Sequence, residues 1–213
     1  MVLTWAVQVF TLAAVGIYTY LTYRLLSSQT HQRFENTFFQ LLRFHHDIVN
    51  AIRVRVPPGA LGTGIPQEVE GRPAFTVLYE RLIGKYDQLR NQHPEAATGH
   101  LAREAYDQFF GEYQDLVGHY FRNLYRVIKF IDGSEEGVED KNFYAHLVRA
   151  QMSSHELLLL LYNGYSRFGK DKFYPLINKY SLLENMPEDE VISRRLSLLG
   201  DDTELYLPKA FGR

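Results

Sequence analysis

Arg149-Ala150-Gln151-Met152-Ser153-Ser154-His155-Glu156, then five leucines from Leu157 to Leu161, then Tyr162-Asn163, is the stretch whose reading decides the fold. It predicts a helix over about 142–164. Towards its C-terminal end this helix is apolar almost all round, the pattern of a helix buried in a core. At about 100° per residue, Arg149, Ser153, Glu156 and Asn163 still fall on one narrow stripe. A strip of charge on a buried helix must be paired, because an unpaired buried charge is strongly destabilising. The stripe is therefore either the centre of a structural polar network or the floor of a site.

Working outward, the chain has 213 residues, a formal charge of -2 and 14% aromatic residues. That length fits one domain with appendages and buries a sizeable core. Near-neutral charge argues against nucleic-acid binding across the whole surface, though a local basic face stays open. There is no cysteine, so neither a disulfide framework nor a thiolate metal site is available.

Trp5 to Leu26 carries no charged residue until Arg24. Roughly twenty apolar residues at 1.5 Å each span a bilayer. Trp5 stands at one end and Tyr18, Tyr20 and Tyr23 cluster at the other, an aromatic-belt pattern. Met1-Val2-Leu3-Thr4 lacks the basic start of a cleaved signal peptide. Residues 1–28 are accordingly expected to be a retained transmembrane anchor. Arg24, Arg33 and Arg43 follow it, which places the C-terminal domain in the cytoplasm of a single-pass inner-membrane protein. Gln8, Ala13 and Gly16 offer helix–helix contact within the membrane, or simply face lipid.

After the anchor the reading is all-α: an antiparallel bundle over 29–186, with a loop at 57–73 and a polar tail at 187–213. A helix over about 29–56 follows from Phe34, Phe38, Leu41, His45, Ile48 and Ile52, spaced by four and three, and stops at Pro57-Pro58-Gly59. Further helices are expected over about 74–91, 97–131 (with possible breaks at Gly111 and Gly118), 142–164 and 172–183, and a short one near 191–199. No strand alternation stands out.

Three constellations are candidates for chemistry. The stripe is the first. Its expected partner is His119-Tyr120-Phe121-Arg122-Asn123-Leu124-Tyr125-Arg126, where His119, Arg122, Arg126 and Lys129 share a helix face. A functional reading has Arg122 or Arg149 bind a phosphate or an acidic group. The structural reading has Glu156 pair with an arginine to fix helix register, with Arg126 and Lys129 on a solvated basic face; it weighs more, because a buried charge needs such pairing anyway. The second is Arg149 and His155, with five residues between them, the loose spacing of the HEPN ribonucleases, in which a histidine moves protons and an arginine stabilises phosphate charge. Ala150 stands where a polar residue often follows that arginine. Along one helix the two lie about 120° apart. The third is His45-His46 with Glu35 upstream; Glu35, His45, His119 and His146 have no recognisable ligand spacing, so no metal is expected. No phosphate loop, nucleophile elbow or nucleotide fingerprint occurs, Gly59, Gly62 and Gly64 having no strand before them, and no cofactor is expected.

At these residues the chain resembles the phage abortive infection family that is abortive infection C-like. The blocks that carry the resemblance are Phe34-Glu35-Asn36 through Leu41-Leu42 and His45, Gly71-Arg72-Pro73-Ala74-Phe75, His119-Tyr120-Phe121-Arg122 with Leu124-Tyr125, and Arg149-Ala150-Gln151 with Ser153 and Glu156 to Asn163. The resemblance implies a membrane-anchored bacterial defence protein that acts on infected cells, without implying a chemistry. Members often carry two hydrophobic helices before this domain; this chain shows one. The expected function is an anti-phage effector or sensor whose cytoplasmic helical domain answers a phage-derived or partner-protein trigger, with the membrane and a second copy of the chain as partners. An enzyme is not the leading expectation. The alternatives are an HEPN-like ribonuclease toxin working through Arg149 and His155, or a non-catalytic adaptor whose stripe only specifies packing.

Overall fold

A computed structural model describes residues 2–58, 65–134, 140–186 and 208–212. The first element, α1, is a single helix Val2–Ala51 of 50 residues, about 75 Å long at 1.5 Å per residue. Neither glycine nor proline interrupts its second half, and the hydroxyls of Thr11, Thr19, Thr30 and Thr37 fold back onto carbonyls one turn earlier. The helix has two characters. From Phe34 onward its inner face (Phe34, Phe38, His45, Val49) is buried. Before that, large apolar side chains from Trp5 to Leu26, Phe10, Ile17 and Leu21 among them, are exposed. Among the described residues no helix is long and apolar enough to cross a membrane. The anchor expected over 1–28 therefore finds no support among the described residues.

The helix expected to reach residue 56 ends at Ala51, and a β-hairpin follows. Strand β1, Arg53–Val56, pairs antiparallel with β2, Gln67–Glu70, with Val54 opposite Val69. This corrects the reading of 57–73 as loop alone. The physical reason is the run Arg53-Val54-Arg55-Val56: β-branched residues alternating with charge bury Val54 and Val56 and leave both arginines outside. Residues 59–64, with Gly59, Gly62 and Gly64, lie outside the described residues. The chain leaves β2 through Gly71, whose φ of 67° is open to glycine at little cost. Pro73, in the first turn of α2 (Arg72–Gln92), then suits a helix start.

Helix α3, Thr98–Asp132, runs 35 residues without a break at Gly111 or Gly118. It is antiparallel to α1, since Phe34 stacks on Phe130 at 5.0 Å while His45 lies against Tyr120 at 5.0 Å. It is antiparallel to α2 as well, with Phe75 against Tyr120 and Lys85 paired with Glu112. The structure is thus mostly helical, as expected, around an axis formed by α3.

The largest correction concerns the stretch that was read as one helix over 142–164. It is two: α4, Lys141–Arg149, and α5, Ser154–Tyr165. Ser153 starts the second. Its hydroxyl accepts from Glu156 N at 3.4 Å, and the Glu156 carboxylate accepts from Ser153 N at 2.7 Å. This reciprocal capping box satisfies two backbone donors that a helix start leaves open. Leu157 to Leu161 are all buried, so α5 is the core helix that its sequence predicts. Burial of each leucine contributes on the order of 1.5–3 kcal/mol. The chain closes with α6, Tyr174–Lys179, and a 3-10 turn, Pro208–Phe211. The turn docks beside α6, with Leu183 N donating to Ala210 O at 3.0 Å and Ala210 fully buried. The helix expected near 191–199 lies outside the described residues.

Candidate functional site: a basic cleft between α3 and the α5–α6 turn

The middle of α3 divides its side chains cleanly. Tyr120, Leu124, Val127 and Ile128 are buried in the core. Gly118, Arg122 and Arg126, spaced by four, line a cleft on the other side. At Gly118 an added Cβ would lie 3.8 Å from the Arg122 guanidinium and the Phe110 ring, so the missing side chain leaves the arginine resting over bare backbone. Arg122 also donates to Nδ1 of His119 at 3.2 Å. A guanidinium only donates, so Nδ1 of His119 is the acceptor in this bond.

The facing wall is built where α5 ends. Ser166 caps it: its hydroxyl donates to Asn163 O at 2.7 Å and accepts from Phe168 N at 3.2 Å. The turn then lies so close to Asn163 that a Cβ at residue 169 would sit 2.4 Å from Asn163 O and 2.9 Å from its Oδ1. Only glycine fits there. Asn163 itself is buried and donates from Nδ2 to Tyr106 Oη at 2.9 Å. Burial raises the Tyr106 pKa, so the phenol stays neutral and holds the amide in place. The result is a cleft of about 330 Å³ whose polar lining is Arg122, Arg126, Lys172 and Asn163. Phe110, Phe121, Tyr125, Phe168 and Phe173 supply its apolar walls. Among the described residues, none of the three cations has a carboxylate within ion-pairing distance. Arg122, Arg126 and Lys172 are all exposed, so their charge faces solvent and any anion that enters.

The residues expected to form one stripe separate into three places. Asn163 and Arg122 meet at the cleft, with His119 beside Arg122. Ser153 and Glu156 form the α5 cap. There Glu156 is fully buried with Arg72 Nε 4.0 Å away, and Arg72 also donates to Gln151 O. Glu156 lies near enough to Tyr120 to help burial raise the phenol pKa well above its usual range. Even so, neither Tyr120 Oη nor Glu156 Oε1 has a hydrogen bond of ordinary geometry. Arg149 goes elsewhere again, donating to Ser181 O at 3.1 Å and pairing with Glu184. Ser181 adopts a φ of 50° there. The turn between α4 and α5 takes Arg149 out of register with the rest, while Glu156 and Asn163, both on α5, lie about two turns apart along its axis.

Arg149 and His155 take separate partners for the same reason. His155 Nδ1 shares a hydrogen bond with Thr76 Oγ1 at 3.2 Å, and its ring lies 5.7 Å from that of Tyr79. His45 is buried against Tyr120 and 3.4 Å from Asn123 Nδ2. Burial, then the charges of Arg72 and His46, lower its pKa to about 4, so it is neutral at pH 7. Glu35 accepts from Tyr144 Oη at 3.1 Å. Among the described residues no three histidines or carboxylates are grouped as a metal site.

With this geometry in place, comparison with known families bears on the segment that holds the cleft. Residues 112–191 match the family described as "Putative phage abortive infection protein". The match supports the family to which the sequence was compared, over well under half of the chain. It takes in the second half of α3 together with α4, α5 and α6, and so every cleft residue named above except Phe110. The blocks at 34–45 and 71–75 fall outside it. Comparisons with curated proteins and with solved structures give no match.

Within the matched segment, sequence reasoning reached Arg122 and Asn163 but passed over Lys172, Phe168, Gly169 and Phe173, and left Arg126 to solvent. A signal was present. Phe168-Gly169-Lys170-Asp171-Lys172-Phe173 places aromatic, glycine and lysine residues directly after the core helix. Its meaning depends on which helix it folds against. Lys129, on the same α3 face in projection, is already paired with Asp132 at 3.1 Å.

Proposed function

We propose that this chain is a bacterial phage-defence protein of the abortive infection type, a sensor or effector held at the inner membrane. The observation that carries the reading is the family match over 112–191, which includes both walls of the basic cleft. In this reading the helical domain is cytoplasmic and the cleft receives the trigger. The first half of α1 attaches the domain to the bilayer. Its support is the exposure of Trp5, Phe10, Val15, Ile17 and Leu21 on a helix that continues straight into the core. Arg24 and Arg33 on the domain side agree with a cytoplasmic orientation.

The test is phage challenge of cells that express the chain or its Ile17→Lys/Leu21→Lys variant, with membrane fractionation in parallel. Both positions are solvent-exposed, so the fold is retained, while each lysine opposes insertion by about 2.5–3.5 kcal/mol at a bilayer centre. The variant is expected to leave the membrane fraction and to lose protection. A carbonate wash separates a spanning helix, which stays, from one lying on the surface, which is released. Undiminished protection by the released variant would remove the membrane from the mechanism. RNA cleavage by the purified chain, abolished by His155→Ala with the fold intact, would replace this reading by a ribonuclease.

A further inference from the structure

We propose that the cleft between α3 and the α5–α6 turn binds a nucleoside phosphate: the phosphates between Arg122, Arg126 and Lys172, and the flat ring against the aromatic wall. The assignment rests on the cleft as the receiving site and names the ligand class it takes.

The argument begins with charge. Two guanidinium groups one helical turn apart and an ammonium group from the opposite wall converge on one small volume. Among the described residues no carboxylate neutralises them, whereas Lys85, Arg149 and Lys179 each have one. Like charges held together without a counterion repel, so an anion that bridges them is favoured. Phosphate suits this set because arginine forks bind its oxygens in pairs and lysine adds a point charge.

The rest of the lining sets the other half of the ligand. Phe168 stacks on Phe110 with ring centroids 4.2 Å apart, and Tyr125 meets Phe173 edge-on at 5.8 Å. These pairs make firm apolar walls beside the cations, a combination that inorganic phosphate leaves unused. A planar ring fills such a wall by stacking or edge contact. Size limits the choice further. At about 330 Å³ the cleft is at the lower end of small-molecule sites and too small for a folded nucleic acid. The net charge of -2 disfavours binding of a long polyanion across the whole surface. The wall is also preorganised, because Gly169 locks the turn onto Asn163 and Asn163 is held by Tyr106.

The experiment is isothermal titration of the purified full chain with ATP, GTP, tripolyphosphate and a single-stranded oligonucleotide. It is run on the wild type and on Arg122→Gln/Lys172→Gln, two exposed positions whose replacement leaves the core alone; circular dichroism checks the fold. A nucleoside triphosphate is expected to bind, at least about tenfold more tightly than tripolyphosphate, and the double variant to weaken it by at least about tenfold. Tyr125→Leu is expected to reduce the preference over tripolyphosphate while the phosphate contacts remain. Three results would each overturn the proposal: no nucleotide binding by the wild type, equal binding by the double variant, or tripolyphosphate binding as tightly as the nucleotide. Tighter binding of the oligonucleotide through the same cations would also overturn it, in favour of a nucleic-acid surface. Phage challenge with the double variant reads the cellular role separately: unchanged protection despite lost binding would sink the receiving-site reading and leave the ligand assignment standing.

Discussion

Ser153 and Glu156 illustrate how one pair of residues supports two opposite readings until the backbone is known. On a continuous helix they are polar side chains on one buried stripe. At a helix start they satisfy each other's backbone donors, and the buried Glu156 carboxylate also pairs with Arg72 at 4.0 Å. Ser153→Ala is expected to destabilise the protein by about 1 kcal/mol, the usual worth of a lost N-cap. Glu156→Ala removes an acceptor from a buried amide and should cost more, roughly 1–3 kcal/mol. Urea denaturation of the purified chain measures both. A Glu156→Ala cost below that of Ser153→Ala would show that the carboxylate contributes little to the cap. The Ser-x-x-Glu signature was legible in the sequence. The run of leucines beyond it makes one long helix look continuous.

Among the elements, the turn between α5 and α6 carries the most information about the site. The sequence identifies α5 as a core helix through Leu157 to Leu161, and all five are buried. It does not say where the following turn packs. Gly169 decides that, because its backbone passes so close to Asn163 that a methyl group has no room. Gly169→Ala is therefore expected to destabilise the fold by about 1–3 kcal/mol through overpacking and to widen the cleft. Thermal unfolding measures the first effect, and fluorescence of a probe at residue 168 the second. A neutral result in both would mean that the turn has room to shift and that the cleft wall is soft. The β-hairpin is a second case of this scale. Arg53-Val54-Arg55-Val56 alternates visibly, yet four residues are too short to outweigh the helical seam before them. Only the pairing with Gln67–Glu70 makes them a strand.

For the whole molecule, His45 reports on how the helices close around one another. It belongs to α1 but is desolvated by Tyr120 of α3 and sits in the field of Arg72 from α2 and His46 beside it. Its pKa of about 4 in the folded chain is below the 6.5 of an exposed histidine. Between those values the unfolded chain takes up a proton that the folded chain refuses. Stability therefore falls as pH drops from about 6.5 towards 4, by on the order of 3 kcal/mol in total. Asp132 acts in a different window. Its hydrogen bond from Lys179, supported by Lys129 and Tyr180, holds its pKa at about 2, so the stability it contributes is lost only as pH falls below the usual carboxylate range. Urea unfolding across pH 4–7 should show the His45 slope, and His45→Gln should flatten it. An equal slope in that variant would assign the dependence to other groups.

By itself the sequence determined the helical class, the burial of α5 and the exposed apolar run at the start of α1, because these follow from local periodicity and composition. It also carried the blocks that resemble the abortive infection family. What only the tertiary structure decided is which polar residues meet. Arg122, Arg126 and Lys172 come from two segments more than forty residues apart, and no spacing along the chain encodes their convergence. Arg149 shares a projected face with Ser153, Glu156 and Asn163 only on a continuous helix, and the turn between α4 and α5 removes it. Periodicity is a property of one unbroken element. A site is a property of how elements cross, and that is fixed by side-chain packing over distances that local sequence does not reach.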